Sequence, residues 1–167
     1  MNKIVNIRPK VYLSGPMRGL RYNEADDWRK YVQRLLYPEI VCLSPMRNKE
    51  HLKTMPAIYD SGQEITSTQS AIVARDRHDT INSDLMIVNL LDSPDRPSIG
   101  TSVEVGWADM ARTPIVLVIE DDGNPVDHPF FRQLAGWHVT SLDEAAYVAK
   151  TVLLPDESEV DTCSSTQ

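Results

Sequence analysis

The chain alternates short apolar runs with longer segments of helical periodicity, and this alternation restricts the possible folds more than any other feature of the sequence. Five runs are rich in β-branched and aliphatic side chains: Val11–Leu13, Ile40–Leu43, Leu85–Leu91, Ile115–Ile119 and Trp137–Thr140. Segments such as Met86-Ile87-Val88 are apolar on both faces, which is typical of parallel strands covered on both sides. The pattern predicts an α/β fold with an open sheet of about five mainly parallel strands.

Four segments have the periodicity of amphipathic helices. In the first, apolar residues recur at i, i+3, i+4, i+7 and i+8: Trp28, Tyr31, Val32, Leu35 and Leu36. The other three cover roughly Gln69–Ser83, Thr101–Arg112 and Leu142–Leu153. Ser141 and Glu144 have the spacing of a capping box, so they predict the start of the last helix.

The length of 167 residues fits one domain, which we place at residues 1–154. Residues 44–68 are polar and too long for an ordinary connection, so we expect a lid or binding loop there; a permissive surface excursion is the alternative. Residues 155–167 are acidic and rich in Ser and Thr, which predicts a disordered tail.

Composition favours a small-molecule ligand. A formal charge of −7 argues against a nucleic-acid polymer or an anionic membrane as partner. No apolar run approaches the ~18 residues that a membrane helix needs, and the N-terminus lacks the pattern of a secretory signal. Two Cys make no disulfide framework, and the His residues lack metal-ligand spacing, so we expect a cytoplasmic protein with no metal.

The loops after the first and third predicted strands are the expected binding region, because open α/β sheets bind ligands beyond the carboxyl ends of their strands. The first loop, Ser14-Gly15-Pro16-Met17-Arg18-Gly19, has two glycines that permit close backbone approach. The second runs directly into a helix. Its candidate hydrogen-bond donors at the helix N-terminus are Ser98, Gly100, Thr101 and Ser102.

Glu104 falls in the first turns of that helix, and we expect its carboxylate to be ionised near the crevice. An apolar stripe is predicted beside it, formed by Val103, Trp107, Met110 and Ala111. The alternative is an ordinary first-turn acid that favours the helix dipole.

Asp76 interrupts a helix face that otherwise reads as buried and apolar, formed by Ile72, Val73, Thr80 and Ile81. Burial would raise the pKa of Asp76 and make it a proton donor, while an ionised Glu104 acts as nucleophile. An Asp tied to Arg75, Arg77 or a capping amide is the alternative.

The sequence allows more than one role for Tyr12 and suggests a structural role for Asp84. Tyr12 ends the first strand, where it is either a core aromatic or a hydroxyl that contacts Glu104. Asp84 lies at the entrance of the third strand, so we expect a structural cap.

Together these residues resemble the nucleoside 2'-deoxyribosyltransferase family, including its relatives the nucleotide N-glycoside hydrolases. The resemblance rests on Tyr12-Leu13-Ser14-Gly15-Pro16-Met17, on Asp76 eight residues before Asp84, and on Gly100–Ala108 followed by the strand Ile115–Ile119. It implies a doubly wound, flavodoxin-like sheet with helices on both faces, no metal or organic cofactor, and a homo-oligomer with a shared active site.

The resemblance also implies roles for three catalytic residues. Glu104 would attack C1' of the sugar, Asp76 would help to protonate the departing base, and Tyr12 would position the nucleophile. A covalent glycosyl-enzyme would then pass its sugar to a second base or to water, in the manner of retaining glycosidases.

Two positions give opposite indications of the substrate. Ser98 stands where the transferases commonly have an acid, and so favours the hydrolases that hold a 5'-phosphate. Asp127 would repel a phosphate but accept a hydrogen bond from a free 5'-hydroxyl, although His128 or Arg18 could offset its charge. The alternative for Asp127 is a helix N-cap.

The first expectation is therefore deoxyribosyl transfer between nucleobases, starting from 2'-deoxyribonucleosides. Hydrolysis of nucleoside 5'-monophosphates is the alternative, and a non-catalytic nucleotide-sensing module is the third reading. The candidate substrate-binding residues are Gly15, Pro16, Arg18, Ser98, Gly100, Asp127 and His128.

Overall fold

The computed structural model describes residues 8–58, 65–96 and 98–156. Within them one sheet is formed by β1 (Lys10–Ser14), β2 (Val41–Leu43), β3 (Leu85–Asn89), β4 (Ile115–Val118) and β5 (Trp137–Val139). The strand order is β2-β1-β3-β4-β5, and every neighbouring pair is parallel. The predicted α/β fold with a parallel sheet is confirmed.

The helices of the described residues are α1 (Tyr22–Leu36), α2 (Gln69–Ile81), α3 (Ile99–Ala111), α4 (Pro129–Leu134) and α5 (Leu142–Leu153). The capping box of α5 is present, since Ser141 Oγ accepts from the Glu144 amide and the Glu144 carboxylate accepts from the Ser141 amide. The sequence did not predict α4, because six residues are too few to show a helical period.

Two apolar layers cover the sheet, one on each face. On one face α1 and α5 pack on β1, β3 and β4, with Val32, Leu36 and Ala149 facing Val11 and Val116. On the other face α3 and α4 cover the alternate residues of the same strands, and α2 packs beside α3. The sheet is therefore doubly wound, and its order changes direction between β1 and β3.

The apolar stripes predicted for α2 and α3 are only partly buried. The buried residues are Asp76, Asp79 and Thr80 on α2, and Thr101, Glu104, Val105 and Ala108 on α3, so Asp76 and Thr80 are buried as predicted. The exposed apolar residues are Val73, Ile81, Ile99, Val103 and Met110. The inner face of these two helices carries the polar groups of the site beside Val105 and Ala108, and several larger apolar side chains lie on the outer side.

The described part of the segment 44–68 is packed against the domain. It contains a 3₁₀ helix, Glu50–Thr54, and its side chains Met46, Leu52 and Ile58 form a small apolar cluster with α1. Ile58 also exchanges two 2.8 Å backbone hydrogen bonds with the loop after β1. Residues 59–64, like 157–167 of the predicted tail, lie outside the described residues.

No helix of the described residues is both long and apolar enough to cross a membrane.

Candidate active site

Glu104 is a buried carboxylate with both oxygens hydrogen-bonded to side chains of β1. The Tyr12 hydroxyl donates to Oε1 at 2.9 Å and the Ser14 hydroxyl donates to Oε2 at 2.5 Å. Residues two apart in a strand point to the same face, so β1 presents both hydroxyls to α3. The predicted contact between Tyr12 and Glu104 is present, and Ser14 is a second donor that the sequence did not indicate.

Glu104 is not the readily ionised acid that its place near a helix N-terminus predicts. Only 7% of the residue is exposed, and burial is the main reason that its pKa rises to about 7. The Ser14 hydrogen bond opposes this rise, the charge of Asp76 adds to it, and the Tyr12 hydrogen bond and the charge of Arg29 oppose it. Desolvation of the carboxylate therefore outweighs the donors around it.

Asp76 is buried on α2, as the first interpretation of the sequence expects, and it is paired with a neighbouring arginine, as the alternative expects. Arg75 donates from Nε and Nη2 to Oδ1 at 3.1 and 3.0 Å, so the acid is tied to its neighbour. Burial nevertheless raises the pKa of Asp76, against the lowering effect of Arg75 and Lys49. The direction agrees with the prediction, but Glu104 is the more strongly shifted acid of the two.

Basic side chains connect the segment after β2 with the acidic residues of α2. Arg75 donates to the carbonyls of Pro45 and Arg47, and Arg47 forms a 2.6 Å salt bridge with Asp79, so the segment is fixed to α2. Lys49 is only 6% exposed. Burial lowers the pKa of the Lys49 ammonium, and the negative charges of Asp76 and Glu104 oppose this shift.

A cavity of about 540 Å³ opens between the loops that follow β1 and β3. It is lined by Pro16, Met17, Arg18, Pro94, Arg96, Ser98, Ile99 and Gly100. Gly100 lies one turn before Glu104 on α3, so the cavity is at the same end of α3 as the carboxylate, which itself does not line it. Four of the predicted substrate-binding residues line it.

Arg96 is a cavity residue that the sequence reasoning missed. A Cβ added to Gly19 would lie 3.9 Å from Arg96 Nη2, so this guanidinium reaches from the loop after β3 to the loop after β1. Ser98 caps α3 by accepting from the Thr101 amide at 3.3 Å. The only sequence signal for Arg96 was its place shortly before this cap.

Gly15 is needed for close packing. A Cβ at this position would lie 2.8 Å from the Asn89 carbonyl oxygen and 3.0 Å from Trp28 Cζ2. The residue supports the loop after β1 without lining the cavity.

Asp127 and His128 lie apart from this cavity within the single chain. His128 is the N-cap of α4, so the N-cap alternative for Asp127 is wrong. Asp127 accepts two hydrogen bonds from Arg132, at 2.9 and 3.0 Å. Because the guanidinium neutralises this carboxylate, the predicted repulsion of a phosphate is weakened. His128 lines a separate groove of about 300 Å³ between α3 and α4.

Asp84 accepts from the Lys10 amide at 2.8 Å, in agreement with its predicted structural role. Among the described residues, no three His, Cys, Asp or Glu side chains cluster as metal ligands would.

Comparison with known proteins identifies the family. The profile of the nucleoside 2-deoxyribosyltransferase family matches residues 11–150. The chain belongs to this family. Its members act on small-molecule nucleosides and nucleobases, so the family supports an enzyme of the deoxyribosyltransferase and N-glycosidase class. No curated protein matches the sequence significantly.

Solved structures share the fold of this deoxyribosyltransferase-family chain at low sequence identity. A conserved protein of Enterococcus faecalis V583 is 19% identical with a TM-score of 0.61, over 87% of this chain and 99% of the other. A 2-desoxiribosyltransferase of Leishmania mexicana is 18% identical with a TM-score of 0.53, over 85% and 96%. The CMP N-glycosidase BcmB of Clostridium botulinum is 17% identical with a TM-score of 0.52, over 85% and 96%.

Proposed function

We propose that this protein cleaves the N-glycosidic bond of nucleoside 5'-monophosphates, with Glu104 as the nucleophile. The observation that carries the proposal is a buried carboxylate, held on both oxygens by Tyr12 and Ser14, at the end of the sheet where a cavity lined by two arginines opens. The same arrangement serves a transferase or a hydrolase, because the two differ only in what accepts the sugar.

The cavity favours a phosphorylated substrate. Arg18 and Arg96 both line it, and the capped N-terminus of α3 at Ser98 adds backbone dipoles of the sign that attracts an anion. The sequence favoured free nucleosides because of the charge of Asp127, and the structure pairs that charge with Arg132. A similar fold serves a CMP N-glycosidase of Clostridium botulinum, which supports the choice by analogy.

The reaction follows the scheme of a retaining glycosidase. An ionised Glu104 oxygen bonds to C1' as the C1'–N bond breaks, and the bonding electrons leave with the base, which takes a proton from Asp76. Water then attacks C1', Asp76 accepts the proton of that water, and the C1'–O bond to Glu104 breaks. The products are free base and sugar phosphate.

The scheme requires one proton on the pair of acids, and that proton must lie on Asp76. Burial raises the pKa of both groups, so the pair holds a shared proton at higher pH than an exposed pair would. Tyr12 and Ser14 stabilise the ionised form of Glu104. Because the pKa of Glu104 is the more strongly raised, the shared proton lies mainly on Glu104, and the reactive form with the proton on Asp76 is the minor one. Cleavage is therefore expected to fall as pH rises above about 7, where the pair loses this proton.

Deoxyribosyl transfer is the second candidate, and the family match favours it. A free base would replace water in the second step. The third hypothesis, a non-catalytic nucleotide-sensing module, would be favoured if Glu104 pointed into solvent. This carboxylate is instead buried against β1.

Incubation of the purified protein with CMP, dCMP, GMP and dGMP, and with the matching nucleosides, tests the proposal. Chromatography should show base release in water from monophosphates at a higher kcat/KM than from nucleosides, and none with Glu104→Gln. Product that forms only when a second base is added would support transfer instead. No base release under any of these conditions would contradict both candidates.

We further propose a homo-oligomer, formed through the apolar side of α2 and α3. Met110 is 84% exposed and Ile99 is 81% exposed, and Val73 and Val103 are exposed on the same two helices. Such a surface is typical of a protein interface. Light scattering should give a mass above 18.8 kDa for the wild type, and Met110→Glu should lower it. A monomer at micromolar concentration would contradict the proposal.

A further inference from the structure

We propose that Arg29 is a positioning residue for Glu104: its guanidinium binds the main chain on both sides of Ser14 and thereby fixes the hydroxyl that holds the carboxylate. This inference rests on the proposed function of Glu104 as nucleophile.

Arg29 is a buried cation, with 1% of the residue exposed on the inner side of α1. Nε donates to the Leu13 carbonyl at 3.2 Å, Nη2 donates to the Gly15 carbonyl at 2.9 Å, and Nη1 donates to the Ala25 carbonyl. The guanidinium also lies 4.3 Å from the centre of the Trp28 ring. Side chains of this type are almost never buried without partners, so a fully buried Arg with main-chain partners needs a specific reason.

The reason lies in the two carbonyls that it contacts. Leu13 and Gly15 directly flank Ser14, whose hydroxyl donates to Glu104 Oε2 at 2.5 Å. β2 pairs with β1 only as far as Tyr12 opposite Leu43, so the main chain at Ser14 has lost one neighbouring strand. Arg29 supplies rigid, forked donors at this point, which a lysine or a neutral residue cannot reproduce.

The charge of Arg29 acts on the same carboxylate. The charged and titratable groups that face Glu104 are Tyr12 on β1, Arg29 on α1, Lys49 on the segment after β2, and Asp76 on α2. Within the described ranges Arg29 forms no salt bridge, so its charge is not cancelled by a direct carboxylate partner. Arg29 lowers the pKa of Glu104 and thus favours the reactive form.

Substitution separates the geometric effect from the electrostatic one. Arg29→Met should lower kcat on the monophosphate about 10- to 100-fold, with KM within about twofold, and move the alkaline limb of the kcat/KM profile to higher pH, because the pair keeps its shared proton longer. Arg29→Lys should leave the position of the alkaline limb nearly unchanged, because the positive charge stays. Its kcat should still fall, because one ammonium cannot bind both carbonyls. Arg34→Met, an exposed position on the same helix, is the matched control and should match the wild type.

Ser14→Ala is an independent test of the same contact if the Arg29 variants do not fold. It removes the hydroxyl through which Arg29 is proposed to act, and should reproduce the loss of kcat and the shift in pH. If Arg29→Lys folds, its effect and that of Ser14→Ala should not add in the double variant, because both act on one contact. Wild-type kinetics in Ser14→Ala, or additive losses, would overturn the inference.

A titration followed by carbon-13 NMR does not depend on activity. The Glu104 carboxyl signal, identified by its loss in Glu104→Gln, should titrate at higher pH in Ser14→Ala and in Arg29→Met than in the wild type. An inactive wild type with these shifts present would overturn the proposed function but not the contact. An active wild type with unchanged titrations would overturn the role of Arg29 alone.

Discussion

The Tyr12 hydroxyl and the Glu104 carboxylate are joined by a 2.9 Å hydrogen bond that spans 92 positions of the sequence. It connects the end of β1 to the inner face of α3, and Ser14 makes a second connection of the same kind. The candidate nucleophile is thus held by a fully buried stretch of β1 instead of by a mobile loop.

Glu104→Gln should abolish cleavage while leaving the fold intact. The amide has the shape of the acid but cannot form a covalent bond to C1', so we expect kcat/KM to fall at least about 1,000-fold. Base release by chromatography measures the loss. Glu39→Gln, an exposed change, is the control. Residual activity within tenfold of the wild type would remove Glu104 from the nucleophilic role.

The same variant should be more stable than the wild type at alkaline pH. The pKa of Glu104 rises from its ordinary 4.5 to about 7 in the folded protein. Between these values the unfolded chain binds fewer protons than the native one, so the free energy of unfolding falls as pH rises, by about 3 kcal/mol from this group. Urea unfolding at pH 5 and pH 8 should show that Glu104→Gln lacks this decrease. An equal decrease in both proteins would contradict the burial argument.

Tyr12→Phe should reduce activity without removing it. The variant loses one of two donors to Glu104, so the carboxylate becomes less well oriented and harder to ionise. We expect kcat to fall about 10- to 100-fold and the alkaline limb of the pH profile to move to higher pH. Tyr31→Phe loses an exposed hydrogen bond of 2.9 Å to Asp143 and should keep the wild-type rate. Equal rates in the two variants would show that the Tyr12 contact has no catalytic part.

Arg96→Met should weaken recognition of a phosphate and leave nucleosides unaffected. The guanidinium lines the cavity with Arg18, and in the proposed complex its loss would remove a charged hydrogen bond to the 5'-phosphate. We expect KM for the monophosphate to rise about tenfold, with KM for the nucleoside unchanged. The comparison of the two substrates within one variant corrects for any loss of folded protein. A parallel rise for both substrates would place the phosphate elsewhere.

Gly15→Ala and Gly106→Ala form a matched pair for stability. The added methyl group at Gly15 would meet the Asn89 carbonyl oxygen at 2.8 Å, whereas at Gly106 it meets nothing within 4 Å. Thermal unfolding should show a loss of about 1–3 kcal/mol for the first and a gain of up to about 1 kcal/mol for the second, from better helix propensity. A neutral Gly15→Ala would mean that the loop after β1 can shift.

The strands could be predicted from the sequence because each has a local signal. The runs around Ile87 and Val116 are apolar on both faces, as buried parallel strands must be. Tyr12 lies near the end of the first such run and Glu104 in the helix that follows the third, so the topology places both near the carboxyl ends of the strands, where a site is predicted.

Other features had no local signal. Apolar periodicity locates a helix but cannot say which face is covered, so the outward position of Met110 was not predictable. Arg29 binds main-chain carbonyls 14 and 16 positions away. Because every residue has a main-chain carbonyl, the sequence does not indicate which ones a side chain binds. The paired state of Asp127 depends on a short helix that the pattern did not reveal.

Arg75 binds the segment after β2 through the main-chain carbonyls of Pro45 and Arg47, not through its side chains. This attachment does not depend on the side chains of Pro45 and Arg47, but other contacts of the segment depend on side chains, namely the salt bridge of Arg47 with Asp79 and the apolar cluster of Met46, Leu52 and Ile58. A directed-evolution library in the segment is accordingly best confined to its exposed positions, such as Glu50, His51 and Lys53, where diversity costs little structure.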